Sequence, residues 1–366
     1  MRKKLFLAFG IVVLVMFLAA CGKEESPLVS QNSTVEITDM AGRKVIIPRE
    51  ISKVYSKDPV GTILIYTFDP DKLVGQSHPS EGKQKYLSEK LRNLPVIGGV
   101  SGPEGNSAKL EQLVKSAPDI IIWPMVTGFS DSDIDTEKSS ADKLQTQTNI
   151  PVVIVNTNLT QLDKTYEFLG KLLKEEERAK EMAEYCSNTL SEVKSMVDII
   201  PEDKRVRVYY AEGIAGLSSI PVGSRHAEVL EFIRGINVVQ VPLNPGLGQV
   251  TVSLEKVMIW NPEVIITNYP NNKGFLDCVL AEPAWNNIKA VKDRRIYNIP
   301  NQPFNWFDRP PSVNRIIGVK WLANLLYPDY VNYDMRSEVT KFYKLFYHYE
   351  LNDQEVTGLL NSLVWD

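Results

Sequence analysis

The chain has 366 residues, of which 43% are hydrophobic and 23% are charged. This is an ordinary balance for a globular protein long enough to form two domains, and it argues against disorder as the main state. The formal net charge of −4 provides no basic field that would attract nucleic acid, so we set that class of partner aside.

The first twenty residues have the layout of an export signal. A cationic start is followed by the apolar run LFLAFGIVVLVMFLAA, so we predict a signal peptide over residues 1–20, with an uncleaved membrane anchor as the alternative. The sequence LAAC that ends at Cys21 resembles the bacterial lipobox, which implies a lipid such as palmitate on Cys21. Residues 21–34 are polar and are predicted to form a flexible tether.

Two further cysteines, Cys186 and Cys278, lie far apart in the sequence. An exported protein can keep a disulfide, but the separation favours two thiols that are free and mostly buried. With three cysteines and three histidines in the whole chain, a structural zinc site is not expected.

The first half of the chain alternates strand and helix patterns. Two β-rich runs surround Gly42 and predict a hairpin, and an amphipathic helix followed by a buried strand appears in KLEQLVKSAPDIIIWP at 109–124. We interpret residues 35–160 as an N-terminal α/β lobe.

The helix-strand unit returns in SLEKVMIWNPEVIITN at 253–268. Leu-Glu precedes Pro-acid by the same distance in both copies, although a chance match is the alternative. Further strand patterns nearby support a second lobe over residues 201–366, which includes the terminal helices. The predicted fold class is therefore α/β, with two Rossmann-like lobes and a ligand cleft between them.

Between the lobes, residues 161–200 show helical periodicity without an internal proline. We predict one long connecting helix, and leave open a bend or break near Glu175 to Glu177. Such a connector would limit how far the lobes can swing.

The ordered set of motifs resembles the substrate-binding lipoproteins of ABC importers for iron-siderophore complexes, haem and vitamin B12. It comprises the lipobox, ITDMAGRKVIIP, DPDKLVG, LPVIGG, the PDIII unit, the connector, GSRHAEVLEFIRGINVV and SLEKVMIWNPEVIIT. The resemblance implies docking on an ABC permease with its ATPase, through one glutamate at the top of each lobe. By motif position these would be Glu111 and Glu228, and ordinary solvated carboxylates are the alternative.

The stretch NWFDRPPS at 305–312 is predicted to form one rim of the cleft, because its two prolines make a rigid loop before a helix. Arg309 could offer a charged fork to an anionic ligand, with Trp306 and Phe307 as an apolar wall. The alternative is an internal Asp308–Arg309 ion pair, with both aromatic rings in the core.

Other cleft candidates lie where strands end or helices begin. Arg225 and His226 stand together before a helix, and His226 could ligate a metal or simply hydrogen-bond at the helix start. The remaining predicted ligand contacts are Tyr210, Tyr269, Trp123 and His78.

No serine-hydrolase elbow, zinc-protease motif or Walker loop occurs in the sequence, so we predict a binding protein with no catalytic residue and no cofactor. The predicted function is that of a monomeric, lipid-anchored receptor on the extracytoplasmic face, with an iron(III)-siderophore type chelate as cargo. Cobalamin, haem, a nickel chelate and molybdate or tungstate are alternative cargoes. A ligand-sensing lipoprotein and an exported metalloenzyme are alternative functions.

Overall fold

The computed structural model describes residues 33–79, 84–99, 107–125, 131–213, 215–242, 248–269 and 274–365. The predicted signal peptide, Cys21 and all but the end of the predicted tether lie outside these ranges. Within them, no helix combines the length and the apolar character that crossing a bilayer requires.

The described chain begins with a hairpin in which β1 (Thr34–Thr38) pairs antiparallel with β2 (Lys44–Pro48). Gly42 lies in the turn with a φ of +80°, a conformation that glycine adopts without steric cost. Val45 and Ile47 alternate inward and are buried. The predicted hairpin is confirmed.

The N-terminal lobe is built on a parallel sheet with the strand order β3-β4-β5. Every residue of the central strand β4 is buried, as expected for a parallel sheet covered on both faces. The strands are β3 (Val54–Ser56), β4 (Ile120–Met125) and β5 (Val152–Asn156), and the helices are α1 (Pro59–Phe68), α2 (Glu89–Asn93), α3 (Ser107–Ser116) and α4 (Asp131–Thr148).

The C-terminal lobe contains a second parallel sheet, with the order β11-β10-β6-β8, and a small antiparallel pair, β7 with β9. Its strands are β6 (Arg207–Ala211), β7 (Ser218–Ser219), β8 (Ile236–Asn237), β9 (Val250–Thr251), β10 (Val264–Thr267) and β11 (Ile296–Asn298). Its helices are α7 (Glu228–Phe232), α8 (Leu254–Trp260), α9 (Gly274–Ala281) and α10 (Lys289–Lys292).

The predicted internal repeat is present in the fold. Helix α3 leads into β4, and α8 leads into β10, each of which is an interior strand of its sheet. The turn between helix and strand contains a residue in the left-handed region in both copies, Ala117 with φ 48° and Asn261 with φ 42°. The α/β fold class is confirmed.

The connecting segment is not one helix, because it breaks where Lys174 adopts a left-handed conformation with φ 60°. The two pieces are α5 (Leu162–Leu173) and α6 (Glu176–Val197). They pack against each other at a point where a Cβ on Gly170 would lie 2.3 Å from the Cβ of Ala179. The single helix predicted over 161–200 is therefore wrong, and the break lies at the predicted turn.

The terminal helices are α11 (Asn314–Leu326), α12 (Met335–Tyr347) and α13 (Asp353–Leu360). They had been predicted as part of the C-terminal lobe, yet α12 packs on the N-terminal lobe. The ring of Tyr343 lies 5.3 Å from that of Tyr86, and the ring of Tyr347 lies 6.2 Å from that of Tyr66. One hydrophobic core consequently runs through both lobes, which favours limited relative motion.

The two remaining cysteines are not joined to each other. Cys186 is buried in α6, where burial raises the pKa of its thiol well above the usual value. Cys278 in α9 is half-buried, with its sulfur 3.5 Å from the Tyr269 hydroxyl.

Candidate functional site

A cavity of about 280 Å³ lies between the two lobes at the carboxyl ends of β3, β4 and β5. Lys57 follows β3, Met125 ends β4 and Thr157 follows β5, and all three line it. The C-terminal lobe contributes Arg225 and Pro311. Ligands of open α/β sheets bind outside the carboxyl ends of the strands, so this cavity, which we call the cleft cavity, is the candidate site.

Charged side chains line the cleft cavity from both lobes. In the N-terminal lobe, the positive charge of Lys57 is balanced by neighbouring carboxylates. The Lys57 ammonium lies 3.5 Å from Glu137 Oε2 and 3.9 Å from Asp58 Oδ2. It also lies 3.9 Å from the centre of the Trp123 ring, in a cation–π contact. The Trp123 indole donates to Glu137 Oε2 at 2.6 Å. Trp123 is itself buried, so it supports the cavity wall from behind.

Asp58 caps the N-terminus of α1, where its Oδ1 accepts a hydrogen bond from the Gly61 amide at 3.2 Å. Its side chain is 30% exposed, but that exposed part faces the confined space of the cavity. Burial raises the pKa of Asp58, although Lys57, the amides of Gly61 and Val60, and Arg225 act in the opposite direction. At this position a carboxyl group holds its proton to a higher pH than usual.

Arg225 supplies the second cation of the cleft cavity and has an exposed side chain. Its Nε donates to His226 Nε2 at 3.3 Å. Within the part of the chain that the structure describes, no carboxylate lies within 4.0 Å of its guanidinium. Arg225 is therefore a cation that faces the cavity without an ion-pair partner among the described residues; the sequence had predicted it as a contact in the cleft.

Behind Arg225 lies a buried carboxylate that sequence reasoning had not placed in the site. Asp308 is 0% exposed, with Oδ1 accepting from the Tyr210 hydroxyl at 2.9 Å. Its Oδ2 lies 3.2 Å from His226 Nδ1 and 3.3 Å from Arg309 Nε, and the His226 contact is close without hydrogen-bond alignment. Burial raises the pKa of Asp308, against the opposing influence of the nearby His226 ring and the charge of Arg309.

Tyr210 and His226 thus belong to a supporting network rather than to the cavity wall. Both side chains are buried, and burial raises the pKa of the Tyr210 hydroxyl well above its usual value, so it stays a donor. His226 accepts from Arg225 on one ring nitrogen and faces Asp308 with the other. This arrangement fits an orienting residue, and both residues had been predicted as direct ligand contacts.

The guanidinium of Arg309 is already engaged. Its Nε donates to Glu212 Oε1 at 2.7 Å and its Nη2 to Glu212 Oε2 at 3.2 Å, while Gln249 donates to the same carboxylate at 2.8 Å. The side chain remains 35% exposed. Its contact with Asp308 matches the alternative of an internal ion pair. Glu212 is a second internal partner of Arg309 that the sequence did not indicate.

The aromatic wall expected beside Arg309 is absent from the cleft surface, because Trp306 is 0% exposed and Phe307 is buried with it. The Trp306 carbonyl approaches α11 so closely that a Cβ on Gly318 would lie 1.7 Å from its oxygen. The Phe307 ring packs at 5.0 Å against the ring of Tyr210. Asn305 Oδ1 fixes the loop by accepting from the Phe307 amide at 2.7 Å. Both rings serve the core.

His78 is exposed and lines a second cavity of about 240 Å³ on the other side of α1. Pro59 belongs to both cavities, and Pro310 lines the second one next to Pro311 of the first. Most of its wall is apolar, with a hydroxyl pair, Thr62 and Ser77, at 3.0 Å. The structure thus brings His78 near the cleft but not to Arg225.

Tyr269 lies away from both cavities. Its hydroxyl donates to the Gly213 carbonyl, and its ring lines an apolar groove of the C-terminal lobe together with Cys278 and Trp285. Its predicted place in the cleft is not supported. Among the described residues, no cluster of three or more histidine, cysteine or acidic side chains could hold a metal ion, and His226 has no such companions.

The two predicted docking glutamates differ in their surroundings. Glu111 is exposed on α3, as docking requires. Glu228 begins α7 and is bound to the buried guanidinium of Arg315, so its charge is used internally. Glu255 was not among the predicted docking residues, yet it occupies in α8 the position that Glu111 occupies in α3 and is also exposed. The internal repeat was the signal that could have found it.

Comparison with known proteins places this geometry in a family. A model described as "Periplasmic binding protein" matches residues 58–303, more than half of the chain. The molybdate-binding protein MolA of Haemophilus influenzae is 26% identical over 338 residues, which cover 85% of this chain and 90% of MolA.

Two solved structures resemble the whole fold. The ABC transporter solute binding protein from Sulfurospirillum deleyianum superposes with a TM-score of 0.79 at 32% identity, covering 88% of this chain and 98% of that one. A periplasmic solute binding protein from Veillonella parvula superposes with a TM-score of 0.73 at 26% identity, covering 90% of this chain and 97% of that one. The chain therefore belongs to the periplasmic binding protein family and is an extracytoplasmic solute-binding protein of an ABC transporter, not an enzyme.

Proposed function

We propose that this protein is a monomeric, lipid-anchored receptor that captures a compact oxyanion of the molybdate or tungstate class and delivers it to an ABC permease and its ATPase. The observation that carries the proposal is Arg225, a cation that lines the cleft cavity without an ion pair to any described carboxylate. An arginine presents a planar fork of donors that suits an oxyanion.

The size of the cleft cavity supports a small cargo. Its volume is about 280 Å³, whereas pockets for drug-sized ligands span roughly 300–1,000 Å³. A four-oxygen anion fits within that space, while haem, cobalamin or a complete siderophore complex would need the lobes to separate.

The acidic residues of the cavity do not oppose an anion as strongly as their number suggests. Glu137 is compensated by Lys57 at 3.5 Å. The pKa of Asp58 is raised by burial, and a protonated carboxyl group donates a hydrogen bond to an oxyanion instead of repelling it. Arg225 and a neutral Asp58 would then face the same ligand.

The relative named above adds independent support, because MolA of Haemophilus influenzae is a molybdate-binding protein with 26% identity over 338 residues. The sequence alone had favoured an iron(III)-siderophore chelate. That cargo remains the second candidate because the apolar cavity of about 240 Å³ adjoins the first across Pro59. An organic chelator could occupy it while its metal centre lies near Arg225.

The two cargoes are separated by calorimetric titration of the full chain, purified in detergent, with molybdate, tungstate, sulfate, ferric siderophores, haemin, cobalamin and nickel-histidine. We expect saturable binding of molybdate and tungstate that Arg225→Gln weakens at least about tenfold, a loss of about 1.4 kcal/mol. The control is Arg49→Gln, which removes an exposed arginine of the N-terminal lobe. Binding of a chelate alone, or equal binding by Arg225→Gln, would reject the oxyanion proposal.

The lipid anchor is tested separately at Cys21. We expect labelled palmitate to be incorporated into the full chain in a bacterial host and to be lost in Cys21→Ser, with the protein leaving the membrane fraction. Incorporation that survives Cys21→Ser would place the anchor elsewhere.

A further inference from the structure

We infer that Arg315 is a positioning residue of the cargo site, which clamps the wall residue Thr157 of the N-terminal lobe to Glu228 of the C-terminal lobe and so sets the width of the cleft cavity. The inference rests on the proposed function in that it takes this cavity as the cargo site.

The guanidinium of Arg315 connects three segments of the chain. Its Nη2 donates to the Thr157 carbonyl at 2.5 Å, its Nη1 to Glu228 Oε2, and its Nε to the Ser312 carbonyl at 3.1 Å. Thr157 follows the last strand of the N-terminal sheet, whereas Glu228 begins a helix of the C-terminal lobe. One side chain therefore holds both lobes.

The environment of Arg315 makes this contact demanding. The side chain is 0% exposed, and its carboxylate partner is 25% exposed. A buried charge is costly unless it is paired and its donors are satisfied. Here the Glu228 carboxylate pairs with the charge, and two backbone carbonyls accept the remaining hydrogen bonds. Lysine, with one compact ammonium group, cannot reach three partners in a planar arrangement.

One end of the clamp lies in the wall of the cleft cavity, and the other lies in the segment that presents Arg225 to that cavity. Thr157 lines it directly, and its amide is tied to the Met125 carbonyl at 2.8 Å, another lining residue. Glu228 lies three residues after Arg225, within the turn and helix that present Arg225 to the cavity. A shift at Arg315 would thus move the cation and the opposite wall relative to each other.

The chain offers a matched control in Arg178. Its guanidinium also donates to backbone carbonyls of separate elements, Phe68 at 2.7 Å and Leu345 at 2.8 Å. It joins α1 to α12, and it does not line the cleft cavity. Arg178→Lys therefore removes a comparable clamp without altering the cavity walls.

The binding arm of the test measures molybdate and sulfate affinity of the full chain by calorimetry. We expect Arg315→Lys to weaken molybdate binding by about tenfold or more, as happens when a group that orients a metal ligand is removed. The ratio of molybdate to sulfate affinity should also change, because the cavity width changes. Glu228→Gln leaves the hydrogen bond from Arg315 to the Thr157 carbonyl in place, so it should have a smaller effect. Arg178→Lys should leave both affinities unchanged.

The second arm needs no ligand. Amide hydrogen exchange should accelerate in segments 153–160 and 222–230 of Arg315→Lys, but not in those of Arg178→Lys. Unchanged exchange in either segment, or an unchanged affinity ratio in a folded Arg315→Lys variant, overturns the inference. If the wild-type chain binds none of the anions, the proposed function fails, and the exchange arm alone decides whether Arg315 clamps the cavity walls.

Discussion

The hydroxyl of Tyr210 and the carboxylate of Asp308 are joined by a hydrogen bond of 2.9 Å across 98 residues of sequence. The contact fastens the loop before α11 to the end of β6. Asp308 also faces His226, which in turn accepts from Arg225. A carboxylate that no solvent reaches thus orients the cation at the cavity wall.

Removal of the Asp308 carboxylate should be costly. Asp308→Ala is expected to lower the free energy of unfolding by about 3–5 kcal/mol, because neighbouring buried donors lose their acceptor. Urea denaturation followed by circular dichroism measures this. A loss under about 1 kcal/mol would mean that the network contributes little to stability.

The pH dependence of that stability follows from the raised pKa of Asp308. Since the folded state holds the proton more tightly than the unfolded state, the contribution of Asp308 is present at low pH and is lost as pH rises from the unfolded pKa through the folded one. Asp308→Asn should remove this fall. If the unfolding free energies of the wild-type chain and of Asp308→Asn change with pH at the same rate over that range, the raised pKa is contradicted.

These residues also show how far sequence reasoning could reach. The α/β pattern, the hairpin at Gly42 and the repeat around β4 and β10 depend on local periodicity, which the sequence displays directly. Arg225 could be placed in the cleft because it follows a strand end and precedes a helix. All of these are short-range signals.

The failures depend on long-range contacts. Nothing in the sequence near Trp306 indicates that α11 has a glycine at position 318, which leaves room for the Trp306 carbonyl. Glu212 lies 97 residues from Arg309, so the internal pairing of that arginine could only be an alternative. The break at Lys174 was ambiguous because a left-handed lysine has no strong sequence signature.

Asp58 should make oxyanion binding sensitive to pH. Its pKa is raised by burial, and only the protonated form donates to the ligand, so affinity for tungstate should fall as pH rises through that pKa. Asp58→Asn keeps a donor and a good helix cap, and should bind with little pH dependence. Titrations over a series of pH values, starting from the usual pKa of an aspartate and rising from there, compare the two, and an identical pH profile would exclude Asp58 from the site.

Trp123 should report cargo by fluorescence. Its indole is hydrogen-bonded to Glu137, and Lys57 lies over its ring. An anion that attracts Lys57 or repels Glu137 therefore changes the surroundings of the indole. We expect the emission change to disappear in Trp123→Phe and to persist in Trp306→Phe, since Trp306 is buried in the core. A response lost only in Trp306→Phe would contradict this assignment.

Docking should depend on Glu111 and Glu255, the exposed glutamates that the repeat relates. A charge reversal at either, Glu111→Lys or Glu255→Lys, should reduce stimulation of the permease ATPase in reconstituted vesicles by about tenfold or more. If the glutamates pair with cations of the permease, a lysine would place like charges at the interface, which cost several kcal/mol. Cargo affinity should not change.

Glu228 separates docking from internal pairing. Glu228→Lys would place a cation against the buried Arg315 guanidinium, so it should lower the unfolding temperature and weaken cargo binding. A Glu228→Lys variant of normal stability and cargo affinity that fails to stimulate the ATPase would restore Glu228 as a docking residue.

The close approach of α11 to the loop before it can be tested with one methyl group. In Gly318→Ala the new Cβ would lie 1.7 Å from the Trp306 carbonyl oxygen, and a backbone atom cannot move away as a flexible side chain does. We expect a loss of about 3 kcal/mol or more in unfolding free energy. Gly358→Ala in α13 is the matched control, because its Cβ would meet no atom within 4 Å. That variant should gain about 0.5–1 kcal/mol from helix propensity. Equal stability of the two variants in urea would show that the loop can withdraw from α11, and the buried position of Trp306 would then not be fixed by this contact.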